Sequence, residues 1–205
     1  MMKTDIRLIR GHLVAFRSMI VVGLCALFFL VVSCGNSPQN KDGVDSAMNV
    51  NDRKANDSML TISKSDADFM VAAANGGMAE VSAGKIAKEK ATNSSVKDFG
   101  AKMVDDHSKI NNRLKALADS LNITLPTTVN KDAQSMIDKL NATSVKDFDG
   151  DYMKMMVKDH NEDVDDFQKA SKSISNPGIH NFIMETLPII LEHQQMAKQI
   201  EGTLK

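Results

Sequence analysis

Four residues with metal-binding side chains interrupt the apolar stripes of the predicted helices. Glu80, His107, His160 and His193 each have apolar or small residues three or four positions away on both sides. Because residues three and four apart share one face of an α-helix, all four side chains should point into the protein. A carboxylate and three imidazoles that face one another can together hold one divalent metal ion.

The four residues also lie at similar heights in the predicted helices. Each is about 13–16 residues from the start of its helix, which corresponds to ~20–24 Å at 1.5 Å per residue. Mid-height is the same from either end, so antiparallel packing would still bring the four side chains together. A second interpretation stays open, in which no metal binds and Glu80 is hydrogen-bonded to one or two of the histidines.

Other polar residues near this group carry weaker expectations. Asp163 comes three residues after His160, so it is either an additional ligand or, as the pattern favours, a solvent-facing residue. Asp106 and Asp159 directly precede their histidines and are expected on a different face of their helices. His180 lies near the start of its helix, away from the level of the others, and is expected to be an ordinary surface or boundary histidine.

Four long helices and one short helix must position these residues. The long helices are predicted to begin at or after Ser65, Ser95, Ser144 and Asn176, and the short helix spans about Lys131 to Leu140. Two or three residues join the first long helix to the second and the third to the fourth, so each pair forms an antiparallel hairpin. About 22 residues join the hairpins, enough to cross the length of the bundle. The sequence predicts an all-α, ferritin-like four-helix bundle whose long crossover contains a short helix; an up-down-up-down bundle is the alternative.

The N-terminal segment is typical of a secreted lipoprotein. A basic start precedes an apolar run from Met19 to Val32, which is too short to span a bilayer comfortably. The run ends in Val31-Val32-Ser33-Cys34-Gly35, which resembles a bacterial lipobox, where a peptidase cleaves before a cysteine that carries lipid. Residues 1–33 are therefore predicted to be a signal peptide and Cys34 the lipidation site. An uncleaved anchor, or ordinary cleavage that leaves a free thiol, is the alternative.

Residues 34–64 are predicted to be a lipidated flexible tether, and residues 65–205 the folded bundle. The tether is rich in Asn, Asp and Ser and has no apolar periodicity. By resemblance to known sorting patterns, Asn36 favours the outer membrane, and the lack of an acidic cluster after Cys34 favours the side facing the periplasm. We therefore expect a protein of the bacterial cell envelope, attached to the membrane through lipid on Cys34.

Composition excludes several classes of function. A net charge of −1 gives no reason to expect nucleic acid as a partner, and nothing in the sequence indicates a particular protein partner. Two cysteines cannot form a disulfide framework or a Cys-rich zinc site. A nucleophile elbow, a phosphate-binding glycine loop and a zinc-protease motif are all missing from the sequence.

Several segments together resemble one family of bacterial proteins. They are Asp66–Phe69, Glu80, Met103–His107, Tyr152–His160 and Thr186–His193. Over roughly residues 65–204, the chain is similar to the domain-of-unknown-function family 4142, whose members are described as outer-membrane or secreted proteins. The resemblance implies a ferritin-like bundle in the envelope, but it supplies no reaction.

A di-iron function is a poor fit to the sequence. A di-iron bundle needs several core carboxylates and a Glu-x-x-His motif on two helices, whereas Val104, Val157 and Ile190 lie three residues before the histidines. We therefore expect a non-enzymatic envelope lipoprotein that can bind one divalent metal ion through Glu80, His107, His160 and His193. The alternatives are a metal-free structural or interaction module and, less favoured, a metalloenzyme.

Overall fold

The computed structural model describes residues 42–60 and 62–204, and the predicted signal peptide and Cys34 lie outside these residues. The described residues form six α-helices and no strand: α1 (Gly43–Asn56), α2 (Lys64–Lys90), α3 (Ser94–Ser120), α4 (Lys131–Ala142), α5 (Val145–Ser173) and α6 (Pro177–Thr203). The predicted all-α class is therefore confirmed. None of the helices in the described part of the chain is both long and apolar enough to cross a membrane.

Polar side chains cap the starts of the long helices, as the sequence pattern indicates. The side chains of Ser144 and Asn176 accept hydrogen bonds from backbone N–H groups of the first turns of α5 and α6, and Pro177 follows in the first turn of α6. For α2 and α3 the cap residues are Ser63 and Asn93, each two positions before the predicted serine. Both starts contain several capping residues within four positions, so the pattern alone does not choose among them.

Two apolar clusters define the direction of each long helix. One cluster joins the starts of α2 and α6 to the ends of α3 and α5, and its members include Met70, Leu114, Phe167 and Ile183. The other joins the ends of α2 and α6 to the starts of α3 and α5, and its members include Ala87, Phe99, Tyr152 and Ala197. Since α3 and α5 run in the same direction, the connection between them must travel the length of the bundle. This is the ferritin-like connectivity, so the up-down-up-down alternative is wrong.

Hydrogen bonds hold the crossover against α2. The backbone N–H of Asn130 donates to Asn75 Oδ1 (2.8 Å), and Lys90 Nζ donates to the carbonyl oxygens of Leu140 (3.2 Å) and Asn141 (2.6 Å). Leu140, on α4, is fully buried in the second cluster. The crossover therefore covers the side of α2 near the site as well as closing the topology.

The prediction of a flexible tether over residues 34–64 does not hold over Gly43–Asn56, which form α1. Asp42 caps this helix, since its Oδ1 accepts from the backbone N–H of Asp45 (2.8 Å). Asn51 is buried, and its side chain both donates to the carbonyl of Thr124 (2.9 Å) and accepts from the N–H of Thr124 (2.8 Å). Because this attachment is polar, apolar periodicity does not reveal it.

The Asn51 pairing predicts that Asn51→Ala destabilises the protein. The change leaves the backbone donor and acceptor of Thr124 without their amide partner, which should lower the free energy of unfolding by about 1–3 kcal/mol. Urea denaturation of the two proteins measures this difference. Asn49→Ala is the matched control, because Asn49 is an exposed residue of the same helix that bonds only within it, and its effect should stay within about 0.5 kcal/mol. Equal losses in the two variants would contradict the role given to Asn51.

Candidate metal site

The four predicted residues meet at mid-height in the bundle, one from each long helix. Glu80 comes from α2, His107 from α3, His160 from α5 and His193 from α6, and each is at most 3% exposed. The ring of Phe99 packs against two of the imidazoles, with centroids 6.4 Å from those of His160 and His193. Three histidines and one glutamate are thus removed from water, so their polar atoms depend on one another for partners.

A chain of polar contacts leads from Glu80 to the protein surface. His107 Nδ1 lies 2.7 Å from Glu80 Oε2, His107 Nε2 lies 3.2 Å from His193 Nδ1, and His193 Nε2 lies 3.0 Å from Asp106 Oδ2. Lys102 Nζ lies 3.0 Å from the same Asp106 oxygen. Burial alone would raise the pKa of Asp106, but the hydrogen bonds from His193 and Lys102 outweigh burial and lower it. Asp106 stands off the core face of α3, as expected, yet it reaches His193 because α3 lies beside α6.

His160 is oriented as a metal-binding histidine would be. Its Nδ1 donates to the backbone carbonyl of Met156, one turn earlier (3.0 Å), so the neutral ring presents a lone pair at Nε2. Ligating histidines commonly donate their other ring N–H to such a carbonyl. The free Nε2 lies 3.4 Å from Glu80 Oε1, and neither atom has a hydrogen-bond partner within the described residues.

Burial is the largest influence on the pKa values of Glu80 and the three histidines. It raises the pKa of Glu80 well above the usual range, and the charge of Asp159 raises it further. Burial lowers the pKa of His107 to about 4, of His160 to about 3 and of His193 to about 4. Burial therefore favours a protonated Glu80 and neutral histidines in the metal-free protein.

The contacts among Glu80, the three histidines and Asp106 are short of one proton. Four contacts each need one proton between two polar atoms: Glu80 with His160, Glu80 with His107, His107 with His193, and His193 with Asp106. His107 and His193 supply one proton each and a protonated Glu80 supplies a third, while the proton of His160 is already used on the backbone. One contact is left between two lone pairs, which an additional proton or a bound cation would relieve.

Two aspartates of α5 also reach the site. The ligand atoms of Glu80, Asp159, His160 and Asp163 all lie within 4.8 Å of one another, and those of His107, His160 and His193 form a second such set. The structure thus divides the four predicted ligands between two sets that share His160.

The expected positions of both aspartates are corrected by the structure. Asp159 does not point to a different face, and Asp163 is half-buried instead of facing solvent, with burial and the charge of Glu80 raising its pKa. Small residues of α2 leave room for both aspartates. A Cβ atom added at Gly76 would have only Asp163 Oδ1 near it, at 4.0 Å, and Ala79 borders the space around Asp159. The sequence signal for them is an acid pair one turn apart on α5, opposite a segment of small residues on α2. The core therefore holds more carboxyl groups than Glu80 alone.

A cavity of about 310 Å³ ends at this cluster. It lies between α2 and α5, and Glu80, His107 and Asp163 border its inner end together with Thr186 of α6. Thr186 is fully buried, and its Oγ1 has no hydrogen-bond partner among the described residues. His180, half-buried near the start of α6, belongs to neither set of ligand atoms.

The burial of Glu80 predicts how Glu80→Gln changes stability with pH. A folded pKa above the usual 4.5 means that the folded state holds a proton which the unfolded state releases, so the parent loses stability as pH rises from 4.5 towards the folded pKa. Glutamine does not titrate, so the metal-free variant should gain stability relative to the parent between pH 5 and pH 8. Urea denaturation with a chelator at both pH values measures this gain. A difference between the two proteins that is the same at both pH values would contradict a raised pKa at Glu80.

Comparison with known proteins places this site within one family. Residues 51–200 match the family model described as Domain of unknown function (DUF4142), a span that contains all the residues of both ligand sets. No curated protein and no solved structure matches the chain. The resemblance inferred from the sequence segments is confirmed over nearly three quarters of the chain, and the protein belongs to the DUF4142 family.

Proposed function

We propose that the protein is an envelope lipoprotein whose helical bundle binds one divalent metal ion at mid-height. One observation carries this proposal: Glu80 Oε1 and His160 Nε2 are buried, unpartnered and 3.4 Å apart, and each presents a lone pair. A cation between them accepts both lone pairs and so takes the place of the missing proton. It also bridges two atoms that would otherwise repel each other.

The ligands of the proposed ion are Glu80, Asp159, His160 and Asp163. Their free atoms lie within reach of a single ion, whereas His107 and His193 already contact each other at 3.2 Å. Three carboxylates and one imidazole form a mixed oxygen and nitrogen donor set, which suits Mn²⁺, Fe²⁺ or Zn²⁺ better than a soft ion such as Cu⁺. His107 then has a supporting role, holding the second oxygen of Glu80 at 2.7 Å.

A metal-free core network is the second candidate function. The contacts from Glu80 through His107 and His193 to Asp106 favour it, because one additional proton would complete them without a metal. In that case the cluster fixes the register of the four helices, as buried polar groups do in some bundles. The protein would then be a structural or interaction module of the envelope.

Metal titration of selected variants tests the proposal and distinguishes the two ligand sets. Asp163→Asn removes a proposed ligand and should weaken metal binding by more than about 100-fold, whereas His193→Gln removes a supporting residue and should weaken it by about 10–100-fold. Isothermal titration calorimetry with Mn²⁺ and Zn²⁺ measures both. His180→Gln is the matched control outside the site and should bind as the parent does. No binding by the parent would favour the metal-free network, and a greater loss in His193→Gln than in Asp163→Asn would favour the three-histidine set.

The lipid anchor is proposed from the sequence around Cys34. The lipobox-like segment follows a basic start and a short apolar run, and Asn36 favours sorting to the outer membrane. Cys34→Ala should abolish incorporation of labelled fatty acid and release the protein from the membrane fraction of a bacterial host. Cys25→Ala is the matched control, because Cys25 lies within the apolar run and should be lost with the signal peptide. Continued labelling of Cys34→Ala would contradict the anchor.

A further inference from the structure

The cavity between α2 and α5 has the size and lining of a small-molecule site. Its volume of about 310 Å³ falls at the lower end of the range for ligand pockets. Apolar side chains form most of its walls, including Phe69, Ala73, Ile110, Phe167 and Ile190. The lining also includes the exposed residues Ser65, Asp166 and Ser173 at the end of the bundle where α2 begins and α5 ends. The cavity therefore runs from a polar mouth, between apolar walls, to the buried cluster.

Two buried oxygens at the inner end lack partners. Glu80 is 3% exposed and its Oε1 accepts no hydrogen bond, and Thr186 is 0% exposed with its Oγ1 unbonded, both judged among the described residues. A buried polar atom without a partner costs about 1–3 kcal/mol, and neither of these oxygens is satisfied by the helix that carries it. Both residues border the same cavity, so a ligand in the cavity lies beside both side chains.

The charges of the lining select the polar group. Glu80, Asp163 and Asp166 contribute three carboxyl groups, and the lining contains no Lys or Arg; its one basic residue is His107. A ligand head that donates hydrogen bonds matches these carboxyl oxygens, and a positive charge on it favours their ionisation, whereas a carboxylate or phosphate brings no complementary charge. The apolar walls require the rest of the ligand to be hydrocarbon.

We propose that this cavity binds a small amine, with its ammonium group at Glu80 and Thr186 and its apolar body between Phe69 and Phe167. The site uses only residues of this chain and needs no metal ion. An ammonium at Glu80 would occupy the oxygen that the proposed metal ion uses, so amine and metal would compete for the same carboxyl group.

A matched set of three ligands tests the proposal. The full chain, labelled with ¹³C at its isoleucine methyl groups and held in a nonionic detergent with chelator, is titrated with 2-phenylethylamine, 2-phenylethanol and phenylacetate. The methyl signals of Ile110 and Ile190, which line the cavity, should shift saturably with the amine, while that of Ile137 on α4 should not. The alcohol should bind at least about tenfold more weakly and phenylacetate should not bind at these methyl groups. Equal binding of all three, or no shift with the amine, would overturn the proposal.

Two variants locate the bound amine. Ala73→Leu fills the cavity and should abolish the shifts, whereas Ala142→Leu makes the same change at an exposed position of α4 and should leave them intact. Thr186→Val keeps the shape of the side chain but removes the hydroxyl, and it should weaken amine binding several-fold. Unchanged binding in Ala73→Leu would overturn the location. Because the titrations contain a chelator, their result does not depend on whether the metal proposal holds.

Discussion

The structure depends on burying the carboxyl group of Glu80 among three histidines at the centre of a four-helix bundle. Burial removes water as a partner for Glu80, so every proton and every charge in the cluster must come from a neighbouring side chain. The histidines and Asp106 leave their contacts with Glu80 one proton short. Each proposed role, whether a metal ion, an extra proton or an ammonium group, is a different way to complete those contacts.

The packing of the bundle leaves space for this polar cluster at mid-height. Apolar clusters above and below fix the directions of the helices, and the crossover covers one side of α2. At the level of the site, α2 presents small residues to α5, and Gly76 leaves space for Asp163. Gly76 and Asp163 also line the cavity that ends at Glu80. The proposed amine would enter through this cavity.

Helical periodicity was enough to predict the fold and the convergence of the four central residues. Connection lengths distinguished the hairpins from the crossover, and the inward positions of Glu80 and His193 followed from spacing alone. Periodicity failed where contacts were polar or depended on how closely two helices approach. Asp159 reaches the site because the facing residues of α2 are small, and α1 is attached through the side-chain amide of Asn51. Neither feature produces a pattern of apolar residues.

X-ray absorption spectroscopy of the protein grown with sufficient metal tests the central claim most directly, because it reports both whether an ion is bound and which atoms ligate it. The account predicts a mononuclear divalent ion with a shell dominated by oxygen and a single imidazole, from His160. A shell with three imidazoles would contradict the proposed ligand set. A protein that takes up no metal would contradict the metal site itself.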